Sequence, residues 1–255
     1  MTTPKHAVAQ ARRLGLYVTR HFDYNPLKSR SGASYNPVAT AATHLLNRAR
    51  FRAVARPYGV IRVDPRSIHG NLRVPPRKWP MGLILNGNWD VAFRRPVDIA
   101  WKIPSMRQRY IHGLEWEETD LFRYFYSPRL ADPAARFKGS RNIEELAEYY
   151  RSVYDPLFKA MQQQGFRTPT LANPAITYVY VHIDRAGAFL YTLEGNHRLG
   201  MALALELTSI PVRVATRHLA WQRVREAVRT GSREPFDHPD LLDLARGDGS
   251  TLVRR

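Results

Sequence analysis

The chain contains no cysteine. Disulfides, thiolate metal sites and a cysteine nucleophile are excluded, and the composition is compatible with a reducing compartment. Long apolar runs are also missing. No stretch approaches the roughly 20 residues of a membrane-crossing helix, and residues 1–20 lack the uninterrupted apolar core of a secretory signal. A cytoplasmic location, with or without peripheral membrane attachment, is the expectation. Acids are scarce in one region only. Residues 1–80 carry 15 Lys and Arg against two acids, Asp23 and Asp64, a net +13; the other 175 residues carry 24 bases and 20 acids, a net +4. Most of the +17 charge therefore belongs to the N-terminal third. Such a segment favours polyanions, whether nucleic acid, ribosomes or anionic lipid headgroups, with a solvated basic surface lacking a dedicated partner as the alternative.

What is present suffices for a core: 44% of the 255 residues are hydrophobic and 11% aromatic, enough for one large domain or a medium domain with an extension. Residues 5–22 place Val8, Ala11, Leu14, Val18 and Phe22 at helical spacing among arginines, a basic amphipathic helix. A Ser/Asn/Pro/Gly-rich loop over 23–37 and a second helix over roughly 38–55 follow. Together residues 1–58 form a basic, mainly helical extension. A strand at Val60–Val63 stops at Asp64-Pro65, and the proline-rich stretch 70–80 predicts an irregular connection. Asn86-Gly87 predicts a hairpin between two short strands, with Trp89 and Asp90 just beyond the turn.

The acidic cluster Glu115, Glu117, Glu118 and Asp120 suits a helix start better than catalysis. A long helix ends near Gly165, with Ser140 as its candidate cap and Ile143, Leu146, Tyr150, Val153 and Leu157 as its apolar face. The last third alternates clearly. Val179, Val181 and Ile183 interleave with Tyr178, Tyr180 and His182; a turn at 184–187 returns the chain as a second strand over 188–193. A short apolar helix (Leu199–Leu207) and the strand IPVRVAT follow, and strand–helix–strand with short links predicts a right-handed parallel crossover. A helix after His218 and a polar tail over 231–255, with a final helical turn in HPDLLDLA, complete the chain.

Chemistry concentrates in LEGNHRLG, between the returning strand and its helix. Amides at a helix start lack intrahelical acceptors and carry partial positive charge, so they suit a phosphate. Gly195 permits close approach of the backbone. Asn196 lies in the same turn, Arg198 adds a forked cationic donor, and His197 adds a donor that can also shuttle a proton. Glu194 is the best placed acid, with Asp90 second. The competing structural reading pairs Arg198 with Glu194 or Asp184 and uses His197 as a cap. Arg217 and His218 follow the last strand and are candidate substrate-binding groups, although such a histidine is more often a cap; Trp221 is expected in the core.

The order of these elements resembles the ParB/sulfiredoxin superfamily. The likeness lies in VIRVDPRSI, IEELAEYYRS, the G-x-H-R loop and RLGMALALELTSIPVRV, with Trp89-Asp90 and Arg217-His218-x-x-Trp221 as marks of a branch with an extended N-terminus. The resemblance implies a small mixed α+β sheet with packed helices over residues 59–230, interrupted by an insertion at about 70–138. It also implies a nucleoside triphosphate, ATP or CTP, with Mg²⁺, gripped by Gly195, Asn196, His197 and Arg198. Sulfinic acid reduction is excluded, because Asn196 stands where that chemistry needs a cysteine. About 40 residues after Val214 are too few for the helix-turn-helix domain of the DNA clamps. The expectation is therefore an ATP- or CTP-dependent phosphotransferase acting on a small-molecule, glycan or lipid-linked hydroxyl, with Glu194, His197 and Asp90 in catalytic roles and no protein-built metal site. The alternative is a DNA- or RNA-binding protein, of the kind labelled nuclease, that uses residues 1–55; those residues could equally meet an anionic membrane.

Overall fold

The computed structural model describes residues 37–72, 80–92, 94–96, 101–168, 178–192 and 195–245. The expected helix over 5–22 lies outside them, as do Leu193 and Glu194.

The fold is mixed α/β. Among the described residues, seven strands form one sheet: β1 (Val60–Val63), β2 (Ile68–Leu72), β3 (Leu83–Leu85), β4 (Arg94–Pro96), β5 (Val179–Ile183), β6 (Phe189–Tyr191) and β7 (Ile210–His218). Their order is β1-β7-β5-β6-β2-β4, with β3 beside β1 on the same edge of β7. The long β7 can serve both: Ile210–Arg213 pairs antiparallel with β1, and Thr216–His218 pairs parallel with β3. Val60–Val63 occupies its expected span and stops at Asp64, whose carboxylate caps the following turn.

Among the described residues, eight α-helices accompany the sheet: α1 (Pro37–Arg50), α2 (Trp89–Ala92), α3 (Lys102–Tyr110), α4 (Ser127–Leu130), α5 (Ile143–Gln164), α6 (Asn196–Ala204), α7 (Leu219–Arg229) and α8 (Leu242–Ala245). Val179, Val181 and Ile183 join the main core with Val212, Val214, Leu199 and Met201. Tyr178 and Tyr180 join Met81 and Ala215 in a second cluster, as alternation across a strand requires. Every residue of β5 is buried, because it lies inside the sheet with both faces covered.

Several expectations are corrected. β6 and β7 are not a parallel crossover pair. β5 separates them, pairing antiparallel with β6 and parallel with β7, so the parallel partner of β7 is one strand further back. Asn86-Gly87 forms no hairpin: β3 is held by β7 instead, and the chain enters α2 after Gly87, which turns at φ +97°. Ordered strand continues past Gly70 to Leu72, paired with β6 and β4. The second helix ends at Arg50 rather than Ala55. Asn142, not Ser140, caps α5 by accepting the Glu145 amide. The buried face of α5 is Leu146, Ala147, Tyr150, Tyr154, Phe158 and Met161, while Val153 is exposed.

Other expectations hold. α5 ends at Gly165, and Trp221 is buried. The acidic cluster is structural: Glu115 and Glu118 form a capping box, and Glu115 and Glu117 pair with Arg151. The segment expected as an insertion supplies β3, β4 and α3, and α3 packs so closely on α6 that a methyl group on Gly200 would come within 2.6 Å of Met106. The segment expected as a polar tail returns Asp240 to the interior, where it meets Arg217, Arg225 and the Trp221 indole N–H.

Candidate functional site

α6 begins where β6 has returned the chain to the start of β5. Gly195 caps it in the left-handed region (φ +77°), and a Cβ there would meet the Tyr178 carbonyl oxygen at 2.5 Å and Val179 Cα at 2.8 Å. The glycine is thus required by the approach of the helix to β5. A glycine cap brings no side-chain acceptor to the first-turn amides; among the described residues, the Asn196 side chain accepts the His197 amide at 3.2 Å.

His197 and Arg198 turn inward. The His197 ring stacks on Tyr154 (centroids 4.1 Å apart, planes at 19°), and Nε2 lies 3.1 Å from the Tyr150 hydroxyl, itself 2.7 Å from the Tyr126 hydroxyl. Among the described residues no group hydrogen-bonds Nδ1, and His197 is 9% exposed. Burial, reinforced by the positive charges of Lys102 and Lys138, pushes the imidazole pKa well below its ordinary value, so the ring is neutral at pH 7. The Arg198 guanidinium lies 3.7 Å from the Phe166 ring centroid and donates to the Arg167 carbonyl at 2.8 Å. Burial lowers its pKa to about 9, and it remains a cation at neutral pH. The start of α6 therefore gathers a buried guanidinium, two lysines, the helix dipole and a neutral histidine with one ring nitrogen that has no partner among the described residues.

Asp90, Arg217 and His218 do not join this group. They lie at the carboxyl ends of the parallel strands β3, β5 and β7, and the length of β5, roughly 16 Å at 3.3 Å per residue, separates the two places. Asp90 is fully buried and accepts from the Arg185 guanidinium at 2.6 and 2.8 Å and from the Arg185 amide at 3.0 Å. Burial pushes its carboxyl pKa up, but Arg185 and the neighbouring His218 outweigh that and hold it below the usual range. His218 Nδ1 accepts the Ala220 amide, capping α7, and Nε2 donates to the Gly87 carbonyl at 2.8 Å. Arg217 is buried against Asp240, at 2.9 and 2.5 Å. All three are occupied in joining segments of the fold, and Asp90 stands too far from α6 to share a reacting centre with it.

Sequence reasoning missed the groups that set the environment of each place. Tyr150, Tyr154, Lys102 and Lys138 come to His197 from 43 to 95 residues away; the expected apolar face held Tyr150 but took Val153 in place of Tyr154, whose i, i+4 spacing from Tyr150 was the available signal. His182 was read as an alternating strand residue. It is fully enclosed near Trp89, and neither ring nitrogen has a partner. Among the described residues no group of three or more His, Asp or Glu side chains is arranged to hold a metal ion, and no helix is long and apolar enough to cross a membrane. No family model matches this chain, and no curated protein or solved structure does either.

Proposed function

We propose that the chain binds the phosphates of a nucleoside triphosphate, ATP or CTP, at the first turn of α6 and transfers a phosphoryl group to a hydroxyl, on a sheet of the ParB/sulfiredoxin kind. The observation that carries the reading is the buried Arg198 cation at the start of α6, with Lys102 and Lys138 acting on the same turn. An anion held by the amides of that first turn would lie beside this guanidinium and in the field of both lysines. In this reading the amides of residues 196–198 hold the phosphate, Arg198 neutralises its charge, and the neutral His197 donates or accepts at Nδ1.

Phosphoryl transfer depends mainly on positioning and charge neutralisation, which suits so sparse a set. Mg²⁺ would enter with the nucleotide, and Glu194, next in the chain, is the acid that would orient it or take the hydroxyl proton. Asp90 has no part in this step.

Titration calorimetry of ATP and CTP into the whole chain tests the proposal. The expected result is saturable binding that Arg198→Ala or His197→Ala weakens at least tenfold and that Lys138→Glu, a change at an exposed position, weakens several-fold without loss of folding. Equal affinity in all three variants, or no binding by the unaltered chain, would overturn it.

A further inference from the structure

α1 is built inside out. The side chains it turns toward the protein are small or polar. Thr40 is 1% exposed and its hydroxyl accepts the Met81 amide at 3.1 Å; Asn47 is 7% exposed and donates to the Gly82 carbonyl at 2.9 Å; Ala39 is buried beside them. The large apolar side chains face outward: Val38 is 65% exposed, Leu45 68% and Leu46 48%. Ala41, Ala42 and Ala49 are exposed too, so Val38, Ala41, Ala42, Leu45 and Ala49 make one apolar stripe at i, i+3, i+4, i+7 and i+11 spacing. A soluble helix normally does the reverse, burying its leucines and hydrating its asparagine.

The charge around this stripe has a single sign. Arg48 and Arg50 lie in its last turn, and Arg52 and Arg56 follow; all four are exposed, and among the described residues none forms an ion pair. No Asp or Glu occurs between residues 24 and 63. Among the described residues, the carboxylate that approaches, Glu226, is turned to the amides of Arg52 and Ala53. Exposed Tyr58 lies in the same region, since Pro57 packs on Gly82 close to where Asn47 holds it.

We propose that α1 lies on an anionic lipid surface, its Val38–Leu45 stripe and the adjoining Leu46 in the headgroup–acyl boundary and its arginines on lipid phosphates. An apolar face bordered by unpaired arginines fits such an interface in both respects. A second basic amphipathic helix, the expected one at 5–22, would complement the stripe but repel the charge. Nucleic acid would use the arginines and leave the leucines without a role.

Vesicle co-sedimentation of the whole chain tests this with phosphatidylcholine alone, phosphatidylcholine plus phosphatidylglycerol, and an unrelated duplex as competitor. The expected result is binding to the anionic vesicles only. It should fall about tenfold or more in Leu45→Glu/Leu46→Glu and comparably in Arg48→Gln/Arg50→Gln/Arg52→Gln. These positions are exposed, so unchanged circular dichroism should accompany the loss. Three results would each overturn the proposal: no binding to anionic vesicles, unchanged binding by the leucine variant, or duplex binding that the arginine variant loses and the leucine variant keeps. ATP binding is read separately on the same variants and should be unchanged, so the two proposals fail independently.

Discussion

At the scale of single residues, function and folding place different demands on neighbouring positions. Gly195 is where the sequence suggested approach of a phosphate, and the fold already needs the glycine for approach to β5. Gly195→Ala should therefore lower stability by about 2 kcal/mol or more before any ligand is added, measured by urea denaturation. His182 gives a second test. Burial lowers its pKa to about 3, against 6.5 in an open chain. Between pH 6.5 and about 3 the unfolded chain binds a proton that the folded chain refuses, so stability is lost with acid by about 1.4 kcal/mol per pH unit from this residue. His197 adds loss of the same sign. His182→Leu should flatten the slope measurably while costing little at pH 7, since both ring nitrogens lack partners; an unchanged slope would show that His182 is not held neutral.

At the scale of elements, local signals were legible wherever the chain decides alone. Val60–Val63 followed by Asp64-Pro65, the end of α5 at Gly165 and the helix after His218 all depend on neighbours in sequence. Decisions made at a distance were not legible. Asn86-Gly87 carries a strong hairpin signal, yet β3 pairs with a strand more than 130 residues away and Arg185 holds Asp90 on the far side of the turn. The choice of Asn142 over Ser140 as cap turned on two residues of phase. Asn142→Ala should cost about 1 kcal/mol of stability by chemical denaturation, the usual loss for an N-cap; a negligible change would contradict the cap. The candidate loop itself was legible, whereas the tyrosines and lysines that define its electrostatics were brought in by α5, α3 and the segment before α5.

At the scale of the whole molecule, the sheet divides the expected site in two. The start of α6 stands at one end of β5; Asp90, Arg217 and His218 stand at the other, where they tie β3, β7 and the C-terminal segment together. Asp240 is the main tie. Arg217 and Arg225 hold its carboxyl pKa at about 2 although burial pushes it up, so its contribution is complete above pH 3.8 and is lost as pH falls toward 2. Asp240→Ala leaves the buried Arg217 guanidinium without its carboxylate and Arg225 with Asp243 alone, and should cost about 3–5 kcal/mol, visible as a large fall in melting temperature; a change under about 1 kcal/mol would mean that the segment is not integral to the core. The central claim concerns the other end of the sheet, and amide NMR of the whole chain titrated with ATP and with CTP tests it most directly. The account predicts that the largest shifts fall on the amides of Asn196, His197 and Arg198. Shifts centred on Asp90, Arg185 and His218 instead, or none at all, would contradict it.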